Sequence, residues 1–161
     1  VIVDVATLGP LGRLKAPGTW GSAAGLLWWA VVVVRLTHHR PHAWQHELAF
    51  DALLVLAAIF LCGVAAFLLK KKDPSEVILD EFVAMPLVFF GNGAADPEMG
   101  KISLFYILLG FLLFRLFDIT KPLGIKKIEA LPGGLGIVMD DVVAALYANL
   151  VLQLCAFLFS I

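Results

Sequence analysis

The chain has 161 residues, of which 61% are hydrophobic and 16% charged, with a mean hydropathy of +0.94 and a net charge of −1. A soluble domain carries about 45–50% apolar and about 25% charged residues, and a chain this short has too much surface to hide the excess in a core. The composition argues against a water-soluble enzyme and a disordered chain, and the absent positive charge argues against nucleic acid as a partner. What remains is an all-α integral membrane protein, one domain over residues 1–161.

The first apolar stretch runs from about Ser22 to Leu36, after Ala16-Pro17-Gly18-Thr19-Trp20-Gly21-Ser22. Thr19 and Ser22 each have two readings, as caps of the first helix or as hydroxyls that meet a phosphate. This N-terminal segment is short enough to be re-entrant. His38, His39, His42 and His46 follow at a spacing that suits a transition metal, but they fall across the membrane from the acids, so a solvated outer loop is the favoured reading. The second stretch, about Leu48 to Leu69, reaches the ~20 residues that a spanning helix needs. Cys62 within it and Cys155 in the last stretch read as buried, inert thiols.

The third stretch, Val77 to Phe90, opens with Asp73-Pro74-Ser75-Glu76-Val77-Ile78-Leu79-Asp80-Glu81-Phe82. Acids in a first turn favour the helix dipole, which accounts for Asp73 and Glu76 as capping residues. It accounts poorly for Asp80 and Glu81, which lie deeper and are followed by apolar residues. Fourteen residues rise only about 21 Å as a helix, so this stretch either spans with local thinning of the bilayer or is re-entrant. The fourth stretch, Ile102 to Phe117, ends in Arg115-Leu116-Phe117-Asp118-Ile119-Thr120-Lys121-Pro122. Arg115, Asp118 and Lys121 share a helical face. They form either a snorkelling, salt-bridged helix end or a set of cations for phosphate beside a carboxylate for a hard divalent ion.

Gly133-Gly134-Leu135-Gly136 leads into the fifth stretch, Ile137 to Ile161, through Asp140 and Asp141. The glycines read as letting the backbone approach a ligand closely. Adjacent acids on a helix point about 100° apart, so one can bind metal while the other orients water or a cation.

Lysine and arginine set the orientation. With five membrane-inserted segments and a cytoplasmic N-terminus, Arg13, Lys15, Lys70, Lys71, Lys72, Arg115, Lys121, Lys126 and Lys127 lie inside, and only Arg35, Arg40 and Lys101 lie outside. That is the positive-inside bias. Asp80, Glu81, Asp118, Asp140 and Asp141 then gather on the same inner side, where ionisable groups need a bundle interior, a partner or water. No cysteine or histidine falls there and no Asp-x-Asp pair occurs; for a phosphate ester bound at those acids, that favours direct attack of water on phosphorus over a covalent phosphoenzyme.

Four blocks, Ala16–Ser22, Asp73–Phe82, Arg115–Pro122 and Gly133–Asp141, together resemble the bacterial phosphatidylglycerophosphatase A family, in the family's order along nearly the whole chain. Ala84 departs from it, standing where the family often has glycine. The resemblance implies a Mg²⁺-dependent, multi-pass phosphatase of the bacterial inner membrane that hydrolyses phosphatidylglycerophosphate to phosphatidylglycerol and inorganic phosphate, with its site facing the cytoplasm. On this reading Asp80, Glu81, Asp140 and Asp141 hold the metal, while Thr19, Ser22, Arg115 and Lys121 meet phosphate or substrate. Glu81, Asp141 and Asp118 are the catalytic candidates, Glu81 being favoured to take the proton from water. The expected partner is a phospholipid in the bilayer. The alternatives are an ion- or proton-coupled transporter and a non-catalytic lipid-headgroup-binding module. The transporter would need acids along a path to the outer side, and the outer halves of the spans are read as carrying none.

Overall fold

The computed structural model of the chain describes residues 1–33, 43–91 and 104–159, and every regular element among them is helical. A short helix α1, Ile2–Ala6, and a 3₁₀ turn at Leu11–Arg13 precede α2, Pro17–Trp28, which widens into a π turn over Trp29–Val33. The long α3 covers Ala43–Leu69. The short α4, Leu79–Ala84, continues as a 3₁₀ segment over Met85–Phe89. Helix α5 covers Leu104–Thr120, α6 covers Ile125–Glu129 and α7 covers Gly134–Phe159.

Two of these helices are long and apolar enough to cross a membrane, Trp44–Leu69 within α3 and Gly134–Leu158 within α7. Their outward faces carry Leu53, Leu56, Phe60 and Phe67 on α3 and Leu150, Leu154 and Phe157 on α7, all exposed. Helix α5 adds an exposed stripe at one-turn spacing, Leu104, Leu108, Leu112 and Leu116. Water would penalise so much apolar surface; lipid would not.

The third apolar stretch is not a continuous spanning helix. Six α-helical and five 3₁₀ residues rise only about 19 Å. Pro86 stands at the start of the 3₁₀ segment, where its missing N–H costs least. Nearly every residue from Val77 to Phe89 is buried by neighbouring helices, which is the condition for irregular backbone at membrane depth. The Asn149 side-chain amide on α7 donates to the carbonyls of Val88 and Phe90, both at 2.9 Å. Trp29 stacks on Phe89 with ring centroids 4.2 Å apart, and Phe89 in turn meets Tyr106 at 6.1 Å, so an aromatic row joins α2 and α5 across this segment.

Alternation of direction positions the acids. Helices α2, α4 and α7 begin at one end of the bundle, and α3 and α5 run towards that end. Tight backbone contacts hold the arrangement. Of the three glycines expected to approach a ligand, Gly134 and Gly136 pack against protein: a Cβ on Gly134 would run into the carbonyl oxygen of Ile59 and lie 2.7 Å from the Gly63 nitrogen, while one on Gly136 would meet the Leu131 carbonyl. Small residues let transmembrane backbones approach in this way. Gly134→Ala is therefore expected to destabilise the protein by about 1–3 kcal/mol, measured as a lower thermal midpoint in detergent.

Cys62 is buried and Cys155 half-buried, and both are free thiols. His46 is exposed. The other three histidines, Arg35, Arg40 and Lys101 lie outside the described residues. One expectation is overturned: the outer half of α3 does carry acids, Glu47 and Asp51. Asp51 is wholly buried, and neither of its carboxylate oxygens has a partner. It stands one turn after Glu47 and 18 residues before the end of α3, remote from the acids at the other end of the bundle, and the buried face between presents Ala58, Cys62 and Ala65 rather than a relay of charged groups.

Candidate functional site

At the end where α2, α4 and α7 begin, a cavity of about 350 Å³ is lined by residues of all four sequence blocks. Helix α2 forms one wall. Its N-cap, Ala16, takes a left-handed φ of 53° and Pro17 opens the helix, so neither Thr19 nor Ser22 caps it. Gly18, Gly21 and Gly25 then form a stripe against α4, where a Cβ would meet Glu81, the Ile78 carbonyl and the Phe82 carbonyl respectively. That closeness places the start of α4 directly over the cavity. The Ile78 amide donates to the Ala6 carbonyl at 3.0 Å, tying α1 to the same point.

Asp80, Glu81 and Asp141 meet there, each offering one carboxylate oxygen, with all three oxygens within 4.8 Å of one another. Asp80 and Asp141 are 6% and 4% exposed. Oδ1 of Asp80 and Oε2 of Glu81 are buried with no hydrogen-bond partner. Three carboxylates this close repel one another, and orphaned buried oxygens cost several kcal/mol in aggregate, on the order of 1–3 each. A divalent cation among them removes both penalties, so the donor set fits a hard metal ion.

Two cationic arms flank the acidic triad. Nη1 of Arg115, in the last turns of α5, lies 2.5 Å from Asp118 Oδ2 and 3.9 Å from Glu81 Oε1. It also donates to Ser22 Oγ at 3.3 Å, while that hydroxyl donates to the Gly18 carbonyl at 2.8 Å. Ser22 is wholly buried and orients Arg115 rather than lining the cavity. Thr19 is exposed and also absent from the cavity wall.

Lys121 forms the second arm. Partial burial works against its charge, but the hydrogen bond and charge of Asp140, backed by Glu129, outweigh that and raise its pKa above the ordinary lysine value. It stays an ammonium throughout the physiological range. Its Nζ lies 2.6 Å from Asp140 Oδ2 and 3.3 Å from Glu129 Oε1.

The structure thus brings together Asp80, Glu81, Arg115, Asp118, Lys121, Asp140 and Asp141 around one cavity. It separates Asp140 from the triad, since Asp140 faces Lys121. Three contributors were not singled out as site residues from the sequence. Asp73 lines the cavity instead of capping a helix, because α4 starts only at Leu79. The position of Asp73 beside Pro74, six residues before the helix, was the available signal. Gly18 makes room for Glu81, and Glu129 supports Lys121 from the short α6. Glu76, the other expected cap, pairs with Lys71 at 2.6 Å.

The family described as phosphatidylglycerophosphatase A matches residues 5–156. A Haemophilus influenzae protein named phosphatidylglycerophosphatase A is 38% identical over 137 residues, covering 84% of this chain and 76% of that protein. A Bacteroides thetaiotaomicron protein with the provisional name phosphatidylinositol-3-phosphatase is 36% identical over 138 residues, covering 83% and 79%. An Escherichia coli protein named phosphatidylglycerophosphatase A is 27% identical over 129 residues, covering 80% and 67%. No solved structure matches the chain.

Proposed function

The chain belongs to the phosphatidylglycerophosphatase A family, and from that premise we propose that it hydrolyses phosphatidylglycerophosphate to phosphatidylglycerol and inorganic phosphate with the help of Mg²⁺. The observation that carries this reading is the acidic triad with orphaned oxygens set between two cations in one cavity. At about 350 Å³ the cavity has the size of a small-ligand site. It takes a phosphoglycerol headgroup and leaves the acyl chains in lipid against the apolar outer faces of the helices.

Asp80 and Asp141 are the proposed metal ligands, in keeping with the few carboxylates that Mg²⁺ favours. A bound divalent ion would supply charge neutralisation and Lewis acidity at a phosphoryl oxygen. Glu81 either completes the ligand set or accepts the proton of the attacking water through its unpartnered Oε2. Arg115 and Lys121 hold the phosphate oxygens and stabilise the charge that develops on them. Asp118 keeps Arg115 aimed at the cavity.

The proposed setting is the inner membrane of a bacterium, with five membrane-inserted segments in a single domain and the site at the cytoplasmic headgroup level. The alternation of chain direction supports five passes, the third being the protein-enclosed segment from Val77 onward. Exposed Arg13, Lys15, Lys70, Lys71, Lys72, Lys126 and Lys127 flank the cavity residues in sequence, as the positive-inside rule requires of a cytoplasmic end. Thiol labelling of Asn92→Cys and Lys126→Cys in sealed vesicles is expected to report opposite sides; labelling from one side would sink this topology.

The activity is tested by phosphate release from phosphatidylglycerophosphate, phosphatidic acid, phosphatidylinositol 3-phosphate and a soluble phosphomonoester. Phosphatidylglycerophosphate is expected to turn over fastest, by tenfold or more. A preference for the inositol lipid would reassign the substrate, and release from none would leave the headgroup-binding reading.

A further inference from the structure

We propose that Glu129 and Asp140 are positioning residues that hold the Lys121 ammonium over the cavity, and that Asp140 is not a metal ligand. The proposal deepens the phosphatase reading above and rests on it for the identity of the phosphate that Lys121 meets.

Geometry separates Asp140 from its neighbour. Both of its oxygens are engaged: Oδ2 with Lys121 Nζ at 2.6 Å and Oδ1 with the Asp141 backbone amide at 3.0 Å. Asp80 and Glu81, by contrast, each keep a buried oxygen without any partner. The group of carboxylates whose ligand atoms approach within 4.8 Å contains Asp141 and not Asp140. The 100° between successive helical residues puts one acid of the pair on the triad and the other on the lysine.

Lys121 is placed by its backbone as well. Helix α5 closes at Thr120, the Lys121 amide donates to the Phe117 carbonyl at 2.8 Å, and Lys121 takes a left-handed φ of 45° before Pro122. A non-glycine residue holds that conformation only at some cost. The turn carries the side chain off the Arg115–Asp118 face and across to α6 and α7, where two carboxylates receive it. An ammonium has three donors. Asp140 and Glu129 take two and leave a third for a phosphate oxygen in the cavity that Lys121 lines. Held this way, the lysine needs little reorganisation when the phosphate arrives.

The test compares Asp140→Asn, Glu129→Gln and Asp141→Asn in the purified full chain. Two quantities are read: KM and kcat for phosphatidylglycerophosphate, and Mn²⁺ affinity by electron paramagnetic resonance without substrate. Asp140→Asn and Glu129→Gln are expected to raise KM about tenfold with a smaller fall in kcat, because the phosphate contact they weaken is made on binding and only strengthened somewhat in the transition state. Their Mn²⁺ affinity should stay within about twofold of the wild type, whereas Asp141→Asn should lose most of it. Loss of Mn²⁺ binding in Asp140→Asn equal to that in Asp141→Asn would overturn the proposal, as would an unchanged KM in Glu129→Gln. Glu129 is 40% exposed at its side chain, so that variant is expected to fold whatever happens to Asp140→Asn. Mn²⁺ binding is read without substrate. It therefore judges the Asp140 assignment even if the wild type released no phosphate, an outcome that would overturn the phosphatase reading instead.

Discussion

Replacing Asp80 or Asp141 by asparagine is expected to lower phosphate release about a thousandfold while leaving the metal-free protein at least as stable as the wild type. The two halves of that result share one cause. Without an ion, three carboxylates with oxygens inside 4.8 Å repel one another in a buried setting, and an amide of the same shape removes one of the charges. With an ion, the same change deletes a ligand, and metal stabilisation of a phosphoryl transition state is worth several kcal/mol, on the order of tenfold in rate per 1.4 kcal/mol. Thermal denaturation should therefore show a wild-type midpoint that rises with Mg²⁺ and variant midpoints that do not. Near-normal turnover of both variants at saturating Mg²⁺ would remove these residues from the metal site.

Gly18→Ala is expected to lower kcat about a hundredfold with little change in thermal midpoint. A methyl group there would overlap Glu81 Oε1 and lie 3.1 and 3.3 Å from the two terminal nitrogens of Arg115. These are the far ends of flexible side chains. They can move aside cheaply, and alanine also gains roughly 1 kcal/mol of helix propensity over glycine. The displacement nevertheless takes Glu81 off the triad and Arg115 off its seat between Ser22 and Asp118, and misplacement of about 1 Å is enough for a loss of this size. Gly25→Ala is the contrasting case. Its methyl group would strike the Phe82 backbone carbonyl and lie 2.8 Å from the Met85 Cβ, so it should lower the thermal midpoint as well. A Gly18→Ala enzyme with full kcat would show that the position of Glu81 does not govern turnover.

Much of this site was legible because its chemistry is written in strong local signals. Asp80 and Glu81 read as too deep for a first turn, but α4 starts only at Leu79 and puts both in it; what marks them as a site is their burial beside Asp141. The three-residue spacing of Arg115 and Asp118 survives as an ion pair. The end of α5 was not readable to the residue. Spacing alone puts Lys121 on the Arg115 face, and only the left-handed turn before Pro122 redirects it. The division of labour between Asp140 and Asp141 was equally hidden, since a 100° offset says the two acids differ and packing alone says which faces the triad. The glycine run carried a signal of close approach, which Gly134 makes to α3 and Gly136 to the Leu131 carbonyl. The helices α1 and α6, five residues each, are too short to show a periodicity. Asp51 escaped notice although Glu47 stands one turn before it, because the apolar stretch was read as starting at Leu48 and the pair straddles that boundary.

The most direct measurement is phosphate release from phosphatidylglycerophosphate by the purified, chelator-treated chain as Mg²⁺ is restored. Turnover is expected to be absent in chelator and to rise to saturation with Mg²⁺, with Asp141→Asn inactive across the same range. Full turnover in chelator would contradict the assignment of Asp80, Glu81 and Asp141 as the centre of the reaction.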